Sequence, residues 1–166
     1  MAEITLKGNP IHTSGELPGV GSKAPDFSLT TTDLSDIGLS QFKGKKVVLN
    51  IFPSVDTPVC ATSVRAFNQR IGNVENAVVL CISRDLPFAL KRFCGAEGLD
   101  HVISASEMRN LGFGDSYGIR MVDGPLAGLL GRAVVVVDEQ GVVTHAELVP
   151  EIAQEPNYDA AMKAVS

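Results

Sequence analysis

An α/β fold, with a central mixed β-sheet flanked by helices, is what this 166-residue sequence predicts. Three observations predict it. Runs such as "KKVVLNIFP" and "AVVLCIS" are continuous in apolar and β-branched residues, as strands buried on both faces are. Segments with apolar residues at near-helical spacing follow those strands. The chain then ends in two strands around a Glu-Gln-Gly turn and one more helix. The order strand–helix–strand–helix, then hairpin and helix, implies one sheet with helices on both faces.

The opening "AEITLKGNPIHTSG" reads as a short hairpin with Gly8-Asn9-Pro10 as its turn. "GELPGVGSKAPDF" is rich in glycine and proline and is expected to be a surface connection. "FSLTTTDLSDIGLSQFKGK" mixes short strand and turn signals. "KKVVLNIFP" is the first buried strand. In "TPVCATSVRAFNQRIG", Val59, Val64, Phe67 and Ile71 recur at near-helical spacing, and Gly72 is a C-cap. "AVVLCIS" is the second buried strand. "DLPFALKRFCGAEG" is a second helix, begun by Asp85 or Leu86 with Pro87 in its first turn. "HVISAS" is a short strand, "GRAVVVVDEQGVVTHAELV" a strand pair, and "EPNYDAAMKAV" a closing helix. This order is the thioredoxin-like arrangement with an N-terminal β-hairpin extension, in one domain over residues 1–166.

Composition narrows the function. Apolar residues at 45% and charged residues at 20% suit a globular protein with one sizeable core. A formal net charge of −5 with no basic block argues against a nucleic-acid or anionic-membrane surface. No run reaches the ~20 apolar residues of a membrane span. The N-terminus lacks the charged-then-apolar pattern of a secretory signal, so a cytoplasmic protein is expected. There are 3 cysteines, Cys60, Cys81 and Cys94, an odd count that does not suggest a static disulfide framework. No Cys-x-x-Cys pair occurs, and His12, His101 and His145 show no ligand spacing, so no metal is expected.

Cys60 raises the sharper question. Thr57 suits an N-cap and Pro58 the first helical position. Cys60 then falls in the first turn, near free N–H groups and the positive end of the helix dipole, which favour thiolate over thiol. The preceding strand delivers this turn at its carboxyl end, where open α/β folds place their sites. Free cysteine is also a common buried, inert residue, and the first-turn position alone leaves both readings open. The same holds for Cys94 at the end of the second helix. Arg132, just ahead of a strand, reads by itself as a surface arginine. Cys81, inside a core strand, reads as packing.

Pro53, Thr57 and Cys60 together form Pro-x-x-x-Thr-x-x-Cys, which resembles the peroxidatic signature of the peroxiredoxins. The string "NIFPSVDTPVCATSVRAFN" is similar to the thiol peroxidase branch, an atypical two-cysteine type. The similarity continues in "DLPFALKRFCG", "GPLAGLLGRAVVVVD" and "ELVPEIAQEPNYDAA", nearly the whole chain. The resemblance implies that Cys60 attacks a hydroperoxide and becomes a sulfenic acid. It implies that Thr57 supplies a hydroxyl to thiolate and peroxide, that Pro53 shields the pocket, and that Arg132 stabilises the thiolate and polarises the peroxide. It implies that Cys94 resolves the sulfenic acid into an intramolecular disulfide that thioredoxin reduces, in a homodimer without metal or organic cofactor. Cys60 begins one helix and Cys94 ends another, so reaching the ~4.4–6.8 Å Cα separation of a disulfide is expected to need local unwinding. Gly95 and Gly98 favour it.

Two rivals stand beside this reading. A thiol–disulfide oxidoreductase uses Cys-x-x-Cys, whereas "CATS" puts Ser63 at the second position. A non-catalytic redox sensor would pass oxidation on through Cys60 without turnover. The apolar "MVDGPLAGLL" ahead of Arg132 suits either a pocket for alkyl or lipid hydroperoxides or a plain turn and strand lead-in.

Overall fold

The computed structural model describes residues 1–166, with a seven-stranded sheet and a separate two-stranded hairpin. The hairpin pairs β1 (Glu3–Leu6) with β2 (Asn9–His12). Its turn is Lys7-Gly8 rather than the expected Gly8-Asn9-Pro10. Lys7 and Gly8 take φ of 50° and 83°, the positive pair that a tight two-residue hairpin loop requires. Pro10 is tolerated inside β2 because the outer side of a two-stranded ribbon needs no N–H donor there.

The large sheet contains β3 (Leu29–Thr31), β4 (Asp36–Ile37), β5 (Lys46–Ile51), β6 (Ala77–Ser83), β7 (Ile103–Ser106), β8 (Ala133–Val137) and β9 (Val143–Leu148), in the order β4-β3-β7-β6-β5-β8-β9. Strands β5, β6 and β7 are parallel. β8 runs antiparallel to both β5 and β9, and β3 antiparallel to β7. The expected mixed, thioredoxin-like sheet is therefore present.

The helices are α1 (Pro58–Ile71), α2 (Pro87–Glu97), α3 (Gly112–Ser116) and α4 (Tyr158–Val165). The two-residue period of the strands sorts the core into two layers. Val48, Val79, Cys81, Val134 and Val136 face α1, α2 and α4, packing on Val64, Phe67, Leu90 and Ala161. Val47, Leu49, Ile51, Leu80, Ile82 and Val135 face the other way, against Phe27, Phe113 and Tyr117. That second layer is roofed by α3 and irregular segments.

The sequence pattern misses α3. Its glycines disfavour a helix, and tertiary contacts hold it instead. The buried Glu107 carboxylate accepts from Gly114 N–H at 3.1 Å and pairs with Arg120 at 2.8 Å. A Cβ on Gly114 would lie 2.5 Å from an Arg120 nitrogen, so only glycine lets that guanidinium approach. No helix is long and apolar enough to cross a membrane.

Candidate active site

β5 is a central strand, and the chain leaves its carboxyl end through Phe52, Pro53 and Ser54 into α1. Asp85, two residues past the end of β6, pins that loop. Its carboxylate accepts from Ser54 Oγ at 2.7 Å, Val55 N–H at 2.9 Å and Ser83 Oγ at 2.6 Å. Thr57 sits at the N-cap with extended φ and ψ of −100° and 146°, and Pro58 starts the helix. Thr57 Oγ1 makes no capping bond; it donates to the Ser54 carbonyl at 3.0 Å. Pro53 is buried and Thr57 half-buried.

Cys60 follows in the first turn of α1 and is fully buried. Arg132, expected from its position to lie at the surface, is 2% exposed, and its Nη2 donates to Cys60 Sγ at 3.2 Å. Its Nε donates to the Ile152 carbonyl at 2.9 Å. Its Nη1 has no protein acceptor, and an unpaired buried donor is costly unless something accepts from it. A thiol sulfur, a fixed guanidinium and a free N–H on that guanidinium thus meet in one dry place. A thiolate nucleophile and a donor for a developing oxyanion need that arrangement.

A polar chain runs under the first turn. Ser63 Oγ donates to the Cys60 carbonyl at 2.8 Å and accepts from Asn50 Nδ2 at 3.3 Å. Asn50 Nδ2 also reaches Cys81 Sγ at 3.6 Å. Burial pushes the Cys81 thiol up to about 12, so Cys81 is an inert thiol at neutral pH.

Cys94 lies apart from this group. It is half-buried on α2, its Sγ is 3.2 Å from Ser104 Oγ on β7, and burial raises its thiol above the ordinary range. A cavity of about 330 Å³ opens beside it, lined by Lys91, Gly95, Gly98 and Leu99. The fold therefore brings together Cys60 and Arg132, with Pro53 and Thr57 on the loop leading in, and leaves Cys94 on another helix as a free thiol.

Sequence reasoning missed Asp85 as the anchor of this loop, Asn50 and Ser63, and the Ile152 carbonyl. An amide inside an otherwise apolar strand was the available signal for Asn50. A backbone carbonyl carries no sequence signal. Of the apolar residues ahead of Arg132, Met121 packs under the hairpin with Ile4, Ile11 and Ile152, and Leu130 enters the main core. Val122, by contrast, stays exposed.

A thioredoxin-like sheet that presents one buried, cation-paired cysteine at a helix start belongs to a recognisable class. The Redoxin family model matches residues 19–162. The chain is 62% identical, over 165 residues and 99% of both sequences, to thiol peroxidases of Mycobacterium tuberculosis and Mycobacterium bovis. A crystal structure described as a peroxiredoxin-like protein from Aquifex aeolicus superposes with a TM-score of 0.94 at 39% identity, covering 99% of this chain and 96% of that one. A thiol peroxidase from Chromobacterium violaceum shares the fold with a TM-score of 0.89 at 22% identity, over 97% and 93% of the two chains. The chain belongs to the redoxin family and, within it, to the thiol peroxidases, which are peroxiredoxin-type oxidoreductases.

Proposed function

We propose that the enzyme reduces hydrogen peroxide and organic, alkyl or lipid, hydroperoxides through Cys60 and Cys94. The buried contact of Arg132 Nη2 with Cys60 Sγ carries this reading. The Cys60 thiolate attacks the terminal oxygen of ROOH. The S–O bond forms as the O–O bond breaks, leaving a Cys60 sulfenic acid and, after protonation, ROH. Arg132 stabilises the thiolate, and its Nη1 donor suits the negative charge that grows on the leaving oxygen. Thr57 turns its hydroxyl toward thiolate and peroxide once substrate draws it from the Ser54 carbonyl. Pro53 keeps water out.

The Cys94 thiol then attacks the sulfenic sulfur and expels water, leaving an intramolecular Cys60–Cys94 disulfide. Thioredoxin reduces it by dithiol exchange. The whole chain acts as one domain, in a homodimer in the cytoplasm, where thiols stay reduced.

Peroxide turnover with hydrogen peroxide and with an alkyl hydroperoxide, each with and without thioredoxin and its reductase, tests this. Sustained consumption of both substrates only with thioredoxin, and one equivalent consumed by Cys94→Ser, is the expected result. Sustained turnover by Cys94→Ser, or a covalent dimer on a non-reducing gel, overturns the intramolecular resolution step.

A further inference from the structure

The hairpin β1–β2 lies outside the large sheet, and nothing in the reaction above uses it. Its contacts lead to Arg132. Thr5 N–H donates to the Pro150 carbonyl at 2.8 Å, and Ile152 N–H donates back to the Thr5 carbonyl at 2.9 Å. β1 thus adds a short parallel bridge to the chain just before Ile152. One side chain fastens that bridge. The Glu151 carboxylate accepts from Gly8 N–H at 2.9 Å and Thr5 Oγ1 at 2.9 Å through Oε1, and from Ala153 N–H at 2.8 Å through Oε2. Beneath it Ile4, Ile11, Met121 and Ile152 form a small separate core. The next residue in this chain of contacts is Ile152, whose carbonyl holds Arg132 Nε at 2.9 Å. The same guanidinium reaches Cys60 Sγ.

We propose that Glu151 is a positioning residue for peroxide reduction: it clamps the amino-terminal hairpin onto the 150–153 turn and so fixes the Ile152 carbonyl that aims Arg132 at Cys60. The proposal rests on the reading of Cys60 as the peroxide-reactive thiol. The guanidinium has no side-chain carboxylate to orient it; apart from the sulfur, its bond is to that one carbonyl. A carbonyl in a turn is only as fixed as the turn. Backbone N–H donors and the Thr5 hydroxyl hold the Glu151 carboxyl down to about 2, so the clamp stays ionised through the working range. Tyr158, from α4, is another ionisable group that feels Arg132, and burial raises its hydroxyl far above neutrality.

The test compares Glu151→Ala and Glu151→Gln in the full chain. The readouts are the rate of Cys60 oxidation by hydrogen peroxide across pH and the thiolate absorbance at neutral pH. In Glu151→Ala the rate is expected to fall about tenfold and its pH profile to move up by about one unit, the equivalence of one pH unit with a factor of ten. Glu151→Gln keeps an oxygen for Gly8 and Thr5 and is expected to recover most of the rate. Val143→Ala, in the core at β9, serves as a variant of lowered stability with an unmoved pH profile. If Glu151→Ala does not fold, Thr5→Val, which removes one hydroxyl donor to the clamp, is expected to shift the profile in the same direction by less. Parental rate and pH profile in the folded Glu151 variant, or in Thr5→Val where it stands in, overturn the proposal. So does an equal shift in Val143→Ala. Loss of peroxide reactivity in Cys60→Ser, measured alongside, shows that such a failure lies with the clamp and not with the reading of Cys60.

Discussion

α1 and α2 are built alike and hold their cysteines very differently. Each starts with proline at its first position after an extended N-cap, and each carries one of the two thiols proposed to act in catalysis. α1 buries Cys60, Ala61, Ser63, Val64, Phe67 and Ile71 against the sheet, whereas α2 buries Pro87 and Leu90. A fully buried Val, Ile or Phe side chain contributes about 1.5–3 kcal/mol, so Val64, Phe67 and Ile71 anchor α1 several times more firmly than Leu90 anchors α2. α2 also ends at Gly98 in the left-handed region, φ 67°, with its N–H on the Cys94 carbonyl, next to an open cavity. The difference teaches which thiol travels. Local opening follows the weakly packed element, so in the proposed disulfide step Cys94 is expected to move to Cys60 on the unwinding end of α2, with Cys60 shifting by its first turn alone.

The largest effect comes from exchanging the two thiols in turn. Cys60→Ser is expected to abolish peroxide consumption with the fold intact, because a serine hydroxyl is not ionised at neutral pH. Cys94→Ser keeps a single burst of one equivalent. Equal behaviour of the two variants in stopped-flow peroxide assays would erase the functional asymmetry.

Arg132→Met comes next. It removes the cation 3.2 Å from Cys60 Sγ, and loss of such a donor costs about 100- to 1,000-fold in rate. The expected loss falls on the peroxide step, while the alkylation rate of Cys94 by iodoacetamide stays at the parental value. A parental peroxide rate in Arg132→Met would show that the contact is structural.

A smaller effect sharpens the mobility argument. Gly98→Ala strains a positive φ and is expected to cost about 1 kcal/mol at the helix end. Amides from Phe93 to Leu99 should then exchange several-fold faster, with little change in α1 beyond its first turn. Hydrogen exchange on reduced and disulfide forms checks this. Faster opening of Val64 to Ile71 would reverse the assignment of the moving element.

The smallest effect on turnover concerns the third thiol. Cys81 titrates near 9.0 when unfolded and at about 12 when folded. Its folded value is raised, so its contribution is fully present below pH 9 and is lost as pH climbs through 12. Urea melts of Cys81→Ala across that window should show a flatter decline than the parent, with peroxide turnover unchanged at neutral pH. A decline equally steep in both proteins removes Cys81 as its source.

Much of this asymmetry was legible in the sequence. The strands β5, β6 and β8 are unbroken apolar runs, and α1, α2 and α4 carry helical spacing, proline starts or a cap residue. Cys60, Thr57 and Pro53 stood out because they share one short motif, and Gly98 because glycine ends helices. Arg132 was harder to read: its burial depends on a carbonyl about twenty residues on, at Ile152, and on a thiol on another element. α3 was invisible because Glu107 and Arg120, not propensity, hold it. The Lys7-Gly8 turn was masked by Asn9 and Pro10, which have turn-like chemistry but sit in β2. In each of these cases tertiary partners outweighed a local preference.

In the proposed cycle, the polar chain beneath Cys60 gives the cysteine a direction home. When Cys60 is drawn toward its partner, its carbonyl leaves Ser63 Oγ. Ser63, fully buried, keeps its bond from Asn50 Nδ2 but loses the carbonyl that accepted its proton. A hydroxyl stranded there costs about 1–3 kcal/mol for as long as the excursion lasts. The proposed disulfide would sustain the displacement, and its reduction would release it. On the proposed cycle the turn is then expected to relax, the carbonyl to regain its hydroxyl and the sulfur to return to the guanidinium with each reduction.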